Sequence, residues 1–248
     1  MVKILIVVLF CGMIVMNYLA NALPLNGMTT GQLSDSYPNL FVPAGLTFSI
    51  WGLIYILLAV FCVVQFTSTD QATISKVTWP FAITCILNGL WIVFWHYQKM
   101  PLSLITMVGF LITLVYINSV IRNIQPGLIK ATFGIYLGWI CIATIANVTT
   151  LLIYYKWDGA GISEQTWAVI MIFAGTVIAS LAIYSFRNPF IALSVLWAFI
   201  GILIKRKDDF RSIVIACIVG MIIVTAVALV QFMAVNRSKN GTITTIKI

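Results

Sequence analysis

Long uncharged apolar runs recur along the whole chain and constrain its fold more than any other feature. The clearest run, residues 44–66, contains no charged side chain. About 20 apolar residues in a helix span the ~30 Å hydrocarbon core of a bilayer, where helices satisfy all of their own backbone hydrogen bonds. The runs predict helices at about residues 4–23, 44–66, 79–97, 101–121, 127–155, 166–186, 190–204 and 212–234.

The composition agrees with this pattern. The chain of 248 residues is 62% hydrophobic and 8% charged, whereas a soluble domain carries about 25% charged residues. The sequence therefore predicts an all-α polytopic membrane protein, integral and multi-pass, surrounded by membrane lipid. The net charge of +8 does not indicate a nucleic acid as a partner, because the basic residues fall almost entirely in loops and at helix ends.

The first apolar run leaves two interpretations open. Lys3 precedes it and residues 20–22 (ANA) end it, which fits a cleavable signal peptide. Asn17 and Asn21 lie one turn apart, which favours a retained first helix with a packing face. Cleavage would leave seven spans instead of eight. The distribution of basic residues weakly favours an N-terminus on the inside.

The apolar runs lack the residues on which membrane pumps and most membrane catalysts depend. Every acidic residue lies in a loop, whereas ionisable groups at mid-membrane mark ion pathways and proton relays. The five cysteines have no metal-ligand spacing, so no metal site is predicted. His96, the single histidine, is expected at the membrane interface, and Asn88 should face other helices because an unpaired amide in lipid is costly.

Two helix faces and one loop are candidates for the wall of a neutral cavity. Trp51 and Tyr55 are four residues apart and share one face. Trp139, Ala143 and Asn147 share another face at i, i+4 and i+8. Ordinary helix packing explains both faces as well. The loop 24–43 is rich in proline and glycine but also in apolar residues, so it predicts a folded cap over one mouth of the bundle, with a plain connector as the alternative.

Three short stretches follow one another in chain order. Pro38 and Pro43 precede Trp51 and Tyr55, residues 87–91 read LNGLW, and residues 136–147 read YLGWICIATIAN. Together they resemble the TspO/translocator-protein family, also called tryptophan-rich sensory proteins. The corresponding family motifs are Pro-x-Trp-x-Pro-Pro with Trp eight residues later, Leu-Asn-x-x-Trp, and Tyr-Leu-x-Trp-x-x-x-Ala-Thr-x-x-Asn. The chain departs from them at Leu40, Val42 and Ile135, where the family has tryptophan, proline and often proline.

The resemblance implies a TspO-like five-helix bundle over residues 1–156, with a central pocket capped by the first loop, and it suggests a homodimer. Residues 157–248 would form an extension of about three further transmembrane helices and a basic tail with Arg237, Lys239 and Lys247. The resemblance and the helix faces give these expected ligand-binding positions: Trp51, Tyr55, Asn88, Trp91, Trp139, Ala143 and Asn147.

Residues 152–156 add a weak signal for sterol. Leu152, Tyr154 and Lys156 match a pattern proposed for cholesterol contact, and they fit an interfacial aromatic and lysine anchor equally well.

The function predicted from these observations is a membrane binding protein, a sensor or carrier, for a flat lipophilic ligand such as a porphyrin, haem or sterol/isoprenoid. No resident cofactor is expected. One alternative is a small-molecule transporter that uses the appended helices. Another is a membrane enzyme acting on porphyrins or isoprenoids, since porphyrin breakdown through the tryptophans of the second and fifth helices, here Trp51 and Trp139, has been proposed within the family.

Overall fold

A computed structural model describes residues 2–23 and 25–244, and the side chains of these residues as far as residue 235. Within this part of the chain there are nine α-helices and no β-strand. The predicted basic tail, with Arg237, Lys239 and Lys247, lies outside the described side chains. The helices are α1 (Val2–Ala22), α2 (Thr30–Asp35), α3 (Ile50–Thr67), α4 (Gln71–His96), α5 (Met100–Val120), α6 (Leu128–Tyr154), α7 (Glu164–Phe186), α8 (Ile191–Arg206) and α9 (Arg211–Thr244).

The predicted all-α polytopic architecture is confirmed, and each of the eight predicted runs is helical. Within the described residues, α1, α3 with its preceding 3₁₀ turn, α4, α5, α6, α7 and α9 are long and apolar enough to cross a membrane. The exception is α8, whose 16 residues rise only about 24 Å. The additional helix, α2, lies in the long loop.

The start of α4 differs from the prediction. The helix begins at Gln71 rather than near Trp79, so most of the expected polar connector is helical. The Asp70 carboxylate caps this end by accepting a hydrogen bond from the Thr73 backbone N–H at 3.0 Å. Hydrogen bonding to Thr73 holds the pKa of the Asp70 carboxyl below its usual range. Apolar residues of the first turns are buried, so tertiary packing extends the helix beyond the apolar run.

Residues 25–43, called the cap below, form the folded cap that the sequence predicted. Thr29 and Gln32 make a reciprocal capping box at the start of α2. Asn26 Nδ2 donates to the His96 carbonyl at 3.0 Å, and Trp95 Nε1 donates to the Thr30 carbonyl at 3.4 Å. His96, which the sequence predicted at the membrane interface, is the last residue of α4. The cap covers this end of the helix, so the His96 side chain is 1% exposed.

Helix α1 packs against α4 as the retained-helix interpretation expected. The rings of Phe10 and Phe81 have centroids 6.2 Å apart. One helical turn from the end of α1, Asn17 Nδ2 donates to Asn88 Oδ1 at 2.5 Å. Amide hydrogen bonds of this kind join helices inside a membrane, where apolar contact alone gives little preference for helix over lipid.

Helix α8 is docked between α6 and the cap through two glycines. A Cβ at Gly138 of α6 would collide with the Ile191 carbonyl and the Ser194 hydroxyl of α8. At the other end of α8, the Ala44 N–H donates to the Gly201 carbonyl at 3.1 Å. A Cβ at Gly201 would collide with Thr47.

Basic residues at the end of α8 also hold the cap. Arg206 Nη2 donates to the Asn39 carbonyl at 2.7 Å, and Lys205 pairs with Asp35 at 3.3 Å. Residues 205–206 thus fasten the cap to α8. The division of the chain at residue 156 stays a prediction.

A first prediction concerns the contact at Gly201. We expect Gly201→Ala to lower the free energy of unfolding by about 1–3 kcal/mol, the usual cost of overpacking. Thermal unfolding in detergent micelles measures the effect. Gly89→Ala is the matched control, because a Cβ at Gly89 meets nothing within 4 Å. Equal melting temperatures for the two variants would contradict close packing of α8 at Gly201.

Candidate ligand-binding site

An aromatic cluster below the cap joins α3 to α6. The Trp51 and Trp139 rings have centroids 6.2 Å apart and meet edge to face, with an interplanar angle of 83°. Tyr55 stacks on Trp51 with centroids 5.5 Å apart, and Tyr136 meets the Trp51 ring at 6.1 Å. The structure therefore brings together two tryptophans that are far apart in the sequence, with Phe48 completing the cluster 6.1 Å from Trp139.

A small cavity lies beside this cluster and under the cap. Its volume is about 50 Å³, which is comparable to one or two water molecules at ~30 Å³ each. The cap and the segment after it form its upper wall, through Thr30, Ser34, Val42 and Pro43. This space is called the closed cavity below. Its other walls are Phe48, Trp51, Trp91, Trp95, Met107, Trp139, Ile142, Ala143, Ala146, Asn147 and Thr150.

A larger space, called the lateral groove below, lies between α1, α3 and α4. It has a volume of about 690 Å³ and opens on the outside of the helix bundle, where Tyr18 is 69% exposed. The lateral groove and the closed cavity share wall residues, so only side chains separate them. The shared residues are Thr30, Phe48, Trp51 and Trp91.

The polar groups around the closed cavity differ in how well they are satisfied. Asn147 Oδ1 accepts hydrogen bonds from Ser103 Oγ at 2.8 Å and from Trp91 Nε1 at 3.3 Å. In contrast, the buried Trp139 Nε1 has no hydrogen-bond partner among the described residues. An unsatisfied buried donor costs about 1–3 kcal/mol. A ligand with a hydrogen-bond acceptor would remove that cost at Trp139.

Most of the predicted ligand positions converge on these two spaces. The face predicted from the i, i+4, i+8 spacing on α6 lines the closed cavity as a unit. Their contact with a ligand stays a prediction. The predicted residues that line the closed cavity are Trp51, Trp91, Trp139, Ala143 and Asn147.

The two other predicted positions, Tyr55 and Asn88, do not line the closed cavity. Tyr55 lines the lateral groove but not the closed cavity. Asn88 lines neither space; it is fully buried and its Oδ1 accepts the hydrogen bond from Asn17. The Asn88 Nδ2 and the Tyr136 hydroxyl are both buried without a hydrogen-bond partner in the described part of the chain. Asn88 is therefore placed as a helix-joining amide behind the aromatic cluster.

The residues of the sterol pattern do not meet the closed cavity or the groove. Leu152 lines a separate pocket of about 330 Å³ between the cap, the end of α6 and the start of α7. Tyr154 is 43% exposed and its ring contacts that of Tyr155 at 5.3 Å. Lys156 follows α6 as an exposed residue in the left-handed conformation. This placement fits an interface anchor.

Sequence reasoning missed several wall residues. Trp95 stacks on Trp91 with centroids 5.5 Å apart, and the same i, i+4 rule that selected Trp51 and Tyr55 would have found it. The wall residue Met107 lies on α5, where no spacing pattern marked it. Ser103, on the same helix, lies behind the wall and donates a hydrogen bond to Asn147. Phe48 lies in a 3₁₀ turn, Gly45–Ser49, whose register does not follow from helical periodicity.

The side chains that line these spaces are aromatic, aliphatic and neutral polar. No charged side chain lines the closed cavity or the lateral groove. Within the described residues no cluster of histidine, cysteine and carboxylate side chains could hold a metal ion. The aromatic faces offer stacking surfaces.

The family of the chain follows from comparison with known proteins. A family model described as TSPO-like protein matches residues 3–230, which extends beyond the stretch 1–156 that carried the resemblance in the sequence. No curated protein and no solved structure matches the chain. The matched range contains all the residues that line the closed cavity and the lateral groove, and it continues into α9. The chain, an integral multi-pass membrane protein, belongs to the TSPO-like protein family.

Proposed function

We propose that the protein binds a flat lipophilic ligand, of the porphyrin, haem or sterol/isoprenoid class, through the lateral groove and the closed cavity. The observation that carries the proposal is that Trp51 and Trp91 belong to the walls of both spaces. Trp139 lines only the closed cavity, and its buried N–H has no hydrogen-bond partner among the described residues. A ligand in the groove lies against aromatic faces, and a small movement of Trp51 or Trp91 would bring its edge to Trp139.

The volumes favour this two-part arrangement. Pockets for small molecules typically measure about 300–1,000 Å³, and the lateral groove at about 690 Å³ lies within that range. The closed cavity at about 50 Å³ is too small for such a ligand by itself. The ligand would therefore occupy the groove and extend into the cavity by displacing Trp51, Trp91 or both.

The polarity of the walls favours the flat, apolar part of such a ligand. Both spaces are walled by aromatic, aliphatic and neutral polar side chains, so charged groups, such as the propionates of a porphyrin or haem, would have to stay hydrated at the open side of the lateral groove. A flat ring system with one acceptor at its edge gains stacking on the tryptophans and a hydrogen bond from Trp139. Sensing or carriage needs nothing more than this reversible binding.

Two measurements distinguish the alternative functions, turnover and transport, from binding. Turnover of a porphyrin would appear as a loss of Soret absorbance during a titration with protoporphyrin IX. Transport would appear as flux across proteoliposomes that contain the protein. Binding with stable absorbance and no flux is the result that we expect.

A second prediction tests the groove through Gly52. A Cβ at Gly52 meets nothing within 4 Å, and the residue lines the lateral groove, so Gly52→Leu should fill the groove without disturbing the helices. We expect about a tenfold loss of affinity for protoporphyrin IX, measured by tryptophan quenching. Gly12→Leu is the matched control, because Gly12 has the same open surroundings on α1 outside the groove. Unchanged affinity in folded Gly52→Leu would place the ligand elsewhere.

A third prediction tests the closed cavity through Ala143. The phenyl group of Ala143→Phe is larger than the space of about 50 Å³ that Ala143 lines, so it would fill that space and press on the neighbouring aromatic side chains. We expect protoporphyrin IX to bind about tenfold more weakly, with the helical circular dichroism retained. Ala59→Phe on the exposed side of α3 is the control of equal size. Loss of binding in both variants would show that the effect is not specific to the cavity.

A fourth prediction concerns the N–H of Trp139. Trp139→Phe keeps an aromatic ring but removes the unpaired donor, so we expect affinity for protoporphyrin IX to fall about three- to tenfold, the value of one hydrogen bond. Trp79→Phe, which removes an exposed indole from α4, should leave affinity unchanged. Quenching should also fall in Trp51→Phe. Wild-type affinity in Trp139→Phe would remove this contact from the proposal.

A further inference from the structure

The two ends of the helix bundle differ in charge. Because the helices alternate in direction, the described basic residues Lys3, Lys76, Arg122, Lys130 and Arg187 lie at one end, where Asp70 is the sole described acid. The other described carboxylates lie at the end that carries the cap: Asp35, Asp158, Glu164, Asp208 and Asp209. The cap end also carries six described basic residues, Lys99, Lys156, Lys205, Arg206, Lys207 and Arg211. The two ends therefore differ in their acidic residues, whereas the positive-inside rule, which counts lysine and arginine, does not distinguish them.

A pocket of about 620 Å³ opens at the basic end, between the turn that joins α5 to α6 and the ends of α7 and α9. Three of its wall residues are cations: Arg122, Lys130 and Arg187. No carboxylate lines it. The space is called the basic pocket below, and it lies at the opposite end of the bundle from the cap.

Lys130 is the unusual member of the basic pocket. Its side chain is only 1% exposed, and its ammonium donates to the carbonyls of Arg122 at 2.8 Å and Ile124 at 3.1 Å. These neutral acceptors leave its charge uncompensated, and a third N–H remains available. Among the described residues the ion pair Lys205–Asp35 is the single one, and it lies at the other end. A buried cation without a counter-ion is costly.

Gln231 is a second polar group directed to the same space. It lies on the apolar helix α9, is 8% exposed and lines the basic pocket. The structure records no hydrogen bond for its amide within the described residues. Tyr184, Ala234 and Val235 give the pocket an apolar side that continues onto the exposed apolar surfaces of α7 and α9.

We propose that the basic pocket binds the phosphate head group of an anionic phospholipid. Two arginines and a buried ammonium match the charge and the hydrogen-bonding geometry of a phosphate. The apolar side of the pocket, at the level where the helices leave the membrane, lets acyl chains continue along α7 and α9. Basic pockets between transmembrane helices bind anionic lipid head groups in this way. This site is independent of the proposed ligand site below the cap.

The test compares variants that each replace one cationic side chain with a neutral glutamine. Arg122→Gln and Arg187→Gln each remove an exposed cation from the pocket, whereas Lys76→Gln removes an exposed cation from the same end outside it. Lys130 is left intact because it also holds the turn after α5. Native mass spectrometry of the full chain titrated with phosphatidylglycerol gives the affinity. We expect about a fivefold loss for each arginine, a larger loss in the double variant, and no loss in Lys76→Gln.

Three results would overturn the proposal. One is equal affinity for phosphatidylglycerol in the wild type and both single variants. Another is an equal loss in Lys76→Gln, which would show diffuse surface charge instead of a site. The third is displacement of phosphatidylglycerol by inorganic phosphate at equimolar concentration, which would make the ligand a free anion. Phosphatidylcholine serves as the neutral lipid reference, and melting temperatures verify that each variant is folded.

Discussion

The close approach of α8 to α6 and to the cap is the constraint on which the candidate site depends. Lipid competes with apolar contacts between helices, so close packing at small residues and interhelical hydrogen bonds decide which helices associate. Gly138 and Gly201 permit that packing, and Trp197 Nε1 adds a hydrogen bond of 2.9 Å to the Thr47 carbonyl. The cap is therefore held over the cavity by a helix that contributes no wall residue to it.

Polar groups inside the bundle fall into two classes. Most amides join elements: Asn188 Nδ2 donates to Asn118 Oδ1 and to the Lys130 carbonyl, both at 2.9 Å. Asn147 accepts two hydrogen bonds at the cavity wall. The second class consists of buried groups without a hydrogen-bond partner among the described residues, and it includes Trp139 Nε1, Asn88 Nδ2 and the Tyr136 hydroxyl. Buried polar groups without a partner are uncommon in native structures, and in this chain several of them lie around the aromatic cluster.

Local periodicity predicted much of this structure, and tertiary contacts decided the rest. The apolar runs located the helices, and the spacing of Trp139, Ala143 and Asn147 correctly placed them on one face. The burial of His96 could not be predicted from the sequence, because it depends on a cap that is remote in sequence. The same holds for the cavity itself, whose roof comes from the cap and whose walls come from α3 to α6. Periodicity identifies a face but not its partner.

The short length of α8 explains why its two ends carry so many polar contacts. Its 16 residues rise about 24 Å, less than the ~30 Å core, so its terminal backbone groups need partners from the protein. At its start Asn188 Oδ1 accepts from the Phe190 N–H at 3.2 Å. At its end Arg206 and Lys205 donate to carbonyl oxygens of the cap segment. The Lys205 and Arg206 side chains thus fasten the cap to the end of this short helix, and the roof of the closed cavity depends on that attachment.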